Sequence, residues 1–158
     1  MTIHVRLTEQ SDVPDCVAMV EEFRQRLQQF EPVMWNRAEG SAQMSTFWFQ
    51  TLIGKPECVC LTAMEANSIV GFLIATETAA PPVFNPGSRV GFIDDFCVVA
   101  PERWDDVGNA LLEAARVELR RRGIVQILVV TAQKDAAKNN FLAANGLSHA
   151  SSWWTAPA

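Results

Sequence analysis

Apolar residues recur along the chain with two periods, near 2 and near 3.6. The switches between them mark ten elements. Residues 3–7 (IHVRL) alternate as a strand. Ser11 or Asp12 can cap a helix whose apolar positions are Val13, Cys16, Val17, Val20 and Leu27. A second helix is predicted from about Ser41 to Ile53. Residues 58–64 (CVCLTAM) and 68–76 (SIVGFLIAT) read as a hairpin about Glu65-Ala66-Asn67. The proline-bearing segment 79–88 is a loop, and 90–99 (VGFIDDFCVV) is a long strand. A helix follows from about Val107 to Arg122. It has Leu111, Leu112, Ala115 and Leu119 on one face, Gly123 as its stop, and Arg120–Arg122 at the negative end of its dipole. Residues 125–130 (VQILVV) form a strand, 136–144 a helix ended by Asn145-Gly146, and 148–155 (SHASSWWT) a closing edge strand.

The order is therefore β-α-α-β-β-β-α-β-α-β. Its β-α-β unit requires the strands at 90–99 and 125–130 to be parallel neighbours. Both are apolar on both faces, which predicts helices on both sides of the sheet. No repeat, linker or low-complexity tract divides the 158 residues, so one domain spanning 1–158 is expected.

Composition narrows the partners. A net charge of −5 argues against nucleic acid, which needs a basic face. No apolar run approaches the ~18 residues of a membrane span, and the N-terminus lacks a signal-peptide core, so a cytoplasmic protein is expected. Cys16, Cys58, Cys60 and Cys97 include no CxxC pair and the chain has 2 histidines, so no metal site is expected. The cysteines read as small buried hydrophobes in a reducing compartment.

Candidate chemistry concentrates at 90–112. Strict alternation would put Phe92, Asp94, Phe96 and Val98 on one face and Ile93, Asp95, Cys97 and Val99 on the other, one carboxylate on each. A carboxylate among apolar neighbours is either bonded locally or raised in pKa, and in the second case it can serve as a general base. The loop Pro101–Gly108 then runs into a helix start, whose free N–H groups suit a phosphate. Arg103 adds charge there, and Gly108 permits close approach.

Residues 93–112, IDDFCVVAPERWDDVGNALL, resemble the signature of the GCN5-related N-acetyltransferases (GNAT). That signature is a strand followed by Arg/Gln-x-x-Gly-x-Gly/Ala and two leucines. Arg103, Val107, Gly108, Leu111 and Leu112 fall in register, and the match continues through Phe141 and Gly146. Asp94-Asp95-Phe96-Cys97-Val98 is similar to the Glu-Asp-aromatic-x-Val run of polyamine and diamine acetyltransferases. The resemblance implies an α/β (α+β) fold, with a mixed, mostly antiparallel sheet of six to seven strands and helices on both faces. It implies acetyl-CoA as cosubstrate and direct attack by a small-molecule primary amine in a ternary complex. Asp94 matches the proposed base, with Asp95 beside it. The pantetheine would pair with the backbone of Phe96, Cys97 and Val98. The pyrophosphate would rest on Arg103, Trp104, Asp105, Asp106, Val107, Gly108 and Asn109.

Three positions depart from the pattern. Asp106 replaces a glycine and can cap the helix through the amides of Gly108 or Asn109. With Glu102 and Asp105 it leaves residues 102–106 at net −2. Two like charges about 6 Å apart repel by about 3 kcal/mol at an effective dielectric near 20, less after screening. Leu142 replaces the tyrosine that protonates the leaving thiolate, leaving water, Cys97 or His149 as alternatives. Asp135 replaces an asparagine near the cofactor.

Phe30, Trp35, Phe47, Trp48 and Phe49 either hold an ammonium or pack the second helix. Trp153 and Trp154 should point one inward and one outward, and an outward tryptophan points to a homodimer. The alternative to an enzyme is a non-catalytic domain of the same fold with weakened CoA binding.

Overall fold

The computed structural model describes residues 2–158. Five strands form one sheet in the order β1-β2-β3-β4-β5: β1 (Ile3–Leu7), β2 (Cys58–Glu65), β3 (Ser68–Thr78), β4 (Val90–Val98) and β5 (Gln126–Val129). The first four are antiparallel neighbours, and β5 joins β4 in parallel, as a short β-α-β crossover requires. The hairpin turns at Ala66-Asn67, where Ala66 takes the left-handed φ of 52°.

Helices cover both faces. On one, α1 (Val13–Phe30) and α2 (Ser41–Leu52) bury Val13, Val20 and Phe49 against Cys60, Phe72 and Cys97. On the other, α3 (Asn109–Arg121) and α4 (Ala136–Ala144) bury Leu111, Leu112, Leu119 and Phe141 against Leu73, Ile93 and Phe96. All four cysteines are free and buried, packing as apolar side chains.

Three expectations change. The sheet has five strands, because residues 148–155 pair with nothing and are exposed throughout. Trp153 and Trp154 are therefore both outward, at 83% and 88% exposure, and β5 is the sheet edge, leaving Val125, Leu128 and Val130 exposed. The strict alternation of 90–99 also fails. Leu73 faces Phe96 while Ala75 faces Ile93, so Asp94 and Asp95 together oppose Ile74. This is a β-bulge, which resets the pleat by one residue. Ile93, Phe96 and Val98 consequently share the α3–α4 face, and Cys97 turns to α1. Finally, the segment expected as a loop is wound up: a 3₁₀ turn at Pro101–Arg103 continues as a π-helical turn at Trp104–Gly108 and then as α3.

Candidate active site

The bulge in β4 determines where the carboxylates go. Instead of one on each face, Asp94 and Asp95 both line a cleft of about 480 Å³ between α1, the α1–α2 connection, α2 and the residues after β5. Asp94 is exposed and Asp95 half-buried. Burial, reinforced by the adjacent Asp94 charge, pushes the Asp95 carboxyl up to about 6, against the opposing pull of Arg24 and Lys138. A carboxylate tuned to that range is ionised at neutral pH and still basic enough to take a proton.

The opposite wall comes from α1 and the segment before α2. Arg24 Nη1 donates to Glu21 Oε1 (2.8 Å) and to Ser45 Oγ, and Arg37 Nη1 donates to Glu21 Oε2 (3.2 Å). Trp35, Trp48, Met34 and Met44 supply apolar surface to the same cleft, whereas Phe49 is buried in the α1–α2 core. Of the aromatic segment, Trp35 and Trp48 therefore line the cleft, Phe49 packs the second helix and Phe47 is exposed.

Behind the carboxylates the sheet splits. The last β4–β5 pair is Ile93 with Val129, closed by Val130 N–H donating to the Ile93 carbonyl (2.9 Å). Beyond it β4 continues to Val98 without β5. Phe96, Cys97 and Val98 are buried at this slot. Its backbone edge fits an extended amide-bearing arm, because an unpaired strand edge offers free N–H and C=O groups. One acceptor there is taken: Lys138 Nζ donates to the Phe96 carbonyl at 3.1 Å.

The 101–108 segment fits a pyrophosphate poorly. Val107 N–H donates to Asp106 Oδ1, and Asn109 N–H donates to the carbonyls of Trp104 and Asp106. The Asn109 amide is taken by helix carbonyls and the Val107 amide by the Asp106 carboxylate, so Asp106 caps Val107 rather than Gly108 or Asn109. Asn109 Nδ2 is bonded to the Asp105 carbonyl. Arg103 is occupied by Asp106 (2.9 Å) and by Glu65 (3.3 Å). Trp104 turns into the core, stacked on Phe141 with centroids 5.2 Å apart and edge-on to Phe96 at 4.9 Å. Gly108 is required by this stack, since a Cβ there would stand 2.8 Å from Trp104 Cε3.

The remaining candidates divide. Asp135 caps α4, its Oδ1 accepting from Lys138 N–H (3.1 Å). Burial pushes the Cys97 thiol up to about 12, which makes it a weak acid. His149 lies on the exposed tail beside Ser152, away from the cleft lining. Sequence reasoning passed over Lys138 and Arg24. For Lys138 a signal existed: its i+3 and i+4 neighbours are Phe141 and Leu142, so helical spacing alone puts it on the buried face.

The family model described as "Acetyltransferase (GNAT) family" matches residues 20–146. This chain belongs to the acetyltransferase (GNAT) family. Solved structures agree on the fold. A predicted acetyltransferase from Clostridium acetobutylicum, with acetyl-CoA, superposes with a TM-score of 0.73 at 18% identity, over 99% of this chain and 96% of that one. A tetramutant of the BH1408 protein from Bacillus halodurans gives 0.83 at 14% identity, over 98% and 99%. AAC(6')-Iy in complex with the bisubstrate analog CoA-S-monomethyl-acetylneamine gives 0.69 at 14%, over 100% and 99%. A search of curated proteins by sequence found no match. Acetyl transfer is thus the general chemistry of this GNAT chain's family. No helix among the described residues is long and apolar enough to cross a membrane.

Proposed function

We propose that this GNAT domain transfers an acetyl group from acetyl-CoA to a primary amine of a small molecule bound in the cleft. The observation that carries the reading is the β4 bulge, which sets Asp94 and Asp95 on the cleft immediately before the unpaired edge of Phe96–Val98. Acetyl-CoA supplies the activated acyl group. The backbone of Phe96, Cys97 and Val98 would hold its pantetheine arm. Asp95, the more buried carboxylate, takes the proton from the acceptor ammonium and leaves a free amine. Exposed Asp94 attracts the incoming cation. Trp35, Trp48 and the two methionines favour an acceptor with an apolar body over one that is charged along its length. That AAC(6')-Iy binds a bisubstrate analog supports direct attack without an enzyme-bound acyl group.

A second reading is favoured by the spent amides of Val107 and Asn109 and by the acidic 102–106 turn: a domain that binds an amine and holds CoA weakly or not at all. One experiment separates them. Thermal unfolding is followed with and without acetyl-CoA, and acetylation of a panel of aromatic and aliphatic primary amines is measured. A ligand at ~100 times its Kd stabilises by about 2.7 kcal/mol. The transferase reading expects a clear rise in Tm and turnover that Asp95→Asn abolishes. No shift at millimolar acetyl-CoA leaves the binding-domain reading standing.

A further inference from the structure

Lys138 is the one lysine in the core, at 1% exposure. Among the described residues no carboxylate forms an ion pair with it. Its ammonium has one hydrogen bond, to the Phe96 carbonyl, and a surround of aromatic faces: Phe23 at 5.3 Å, Trp104 at 5.4 Å and Phe96 at 5.5 Å. These rings come from opposite sides of the sheet. Phe23 belongs to α1 and packs with Cys97, whereas Trp104 and Phe96 belong to the α3–α4 core. A side chain that starts on α4 and ends against all three must thread the gap where β5 has left β4. Burying an ammonium is costly unless its surroundings replace water; one carbonyl and three rings replace only part of it, and burial holds the Lys138 pKa below the ordinary lysine value.

Resting on the acetyl-transfer reading, we infer that Lys138 is an internal occupant of the donor slot, standing where the acyl end of the pantetheine arm would pass to the cleft, and that it sets the chain's affinity for acyl-CoA. Two observations point the same way. The atom Lys138 holds, the Phe96 carbonyl, is an acceptor on the strand edge that an amide-bearing arm would use. Its tip stands between Phe23 of α1 and the Phe96–Trp104 pair of the α3–α4 core, beyond the last β4–β5 pair. Lysine and acyl arm therefore exclude one another, and CoA enters only when the lysine withdraws. A long flexible stem with a single hydrogen bond at its tip is suited to withdrawal. The ammonium can swing to the cleft, where Asp94 and Asp95 offer it a better partner than a carbonyl. The slot then opens and the base is covered, until an acceptor amine competes for the same carboxylates.

The test is calorimetric titration of CoA into the wild-type chain, Lys138→Ala and Lys138→Met, with no turnover needed. Both variants remove the bond to Phe96, and alanine also empties the slot. Binding at least tenfold tighter in Lys138→Ala than in the wild type is the expected result, with Lys138→Met in between. If alanine at this position does not fold, the same comparison is made with methionine, whose length preserves the packing. Wild-type binding equal to or tighter than that of the variants overturns the inference and leaves acetyl transfer standing. No binding by any of the three at millimolar CoA overturns both.

Discussion

The Arg103 guanidinium is clasped by Asp106, three residues on, through its Nε at 2.9 Å, while its two terminal nitrogens reach Glu65 of β2 at 3.3 Å. The arginine that sequence offers to a phosphate is thereby committed to two carboxylates. Asp106→Asn should release one of them and reduce the negative charge of the turn. We expect about tenfold tighter CoA binding, with a weaker dependence on salt, because each like charge removed lowers the repulsion felt by a phosphate. Unchanged affinity in a titration would show that this turn faces away from the bound phosphates.

Gly108 sits under the stacked Trp104–Phe141 pair, 2.8 Å and 3.3 Å from their nearest ring atoms at the place a Cβ would occupy. Gly108→Ala should destabilise the fold by about 1–3 kcal/mol, the usual cost of overpacking. A double-mutant cycle with Trp104→Phe in urea melts should recover part of that loss, since the clashing atom belongs to the indole. Additive effects would place the strain elsewhere.

Asp95 has a pKa near 6 in the fold, above the ordinary 3.8. The folded state thus holds the proton more tightly than the unfolded chain. Its contribution is fully present below pH 3.8 and is lost as pH rises through 6. At pH 7 Asp95→Asn should therefore stabilise the protein, by on the order of 2 kcal/mol, and the gain should vanish near pH 4. Activity should move oppositely, rising through pH 6 in the wild type and absent in the variant. Melts and rates across pH 4–8 read both.

Asp12 behaves in the reverse sense. It accepts two hydrogen bonds from Arg6, at 2.7 and 2.8 Å, and one from the Glu9 amide at 2.8 Å. The Arg6 guanidinium holds its carboxyl below the usual value. Its contribution is present above pH 3.8 and is lost as pH falls through the depressed value. Asp12→Asn should cost about 1–3 kcal/mol at pH 7, with the deficit shrinking in acid. A deficit that persists at pH 2 would assign the loss to packing.

Residues 148–158 are exposed and outside the sheet. Their removal should change stability by less than about 0.5 kcal/mol. A larger loss, or a Tm that becomes independent of protein concentration on truncation, would show the tryptophans seated on a second copy.

Much of this molecule is legible along the chain because its signals are local. Helical spacing at Val13–Val20 and Leu111–Leu119, the Ala66-Asn67 turn and the Gly123 stop each depend on a few adjacent residues. The β-α-β crossover then makes β5 parallel to β4, and Asp94-Asp95 stands out as a pair of adjacent carboxylates in an apolar strand. Three features were decided only in three dimensions. Which face each aspartate takes depends on the pairing of β4 with β3, where an extra residue reverses every side chain beyond it. Whether 101–108 is an open phosphate loop depends on distant partners: the segment is wound into a helix with Trp104 buried against Phe96 and Phe141. Whether the slot beside β4 is empty depends on Lys138, which lies 42 residues from Phe96 in the chain. Local periodicity records which way a residue points from its own element; what it meets there belongs to the packing of elements distant in sequence.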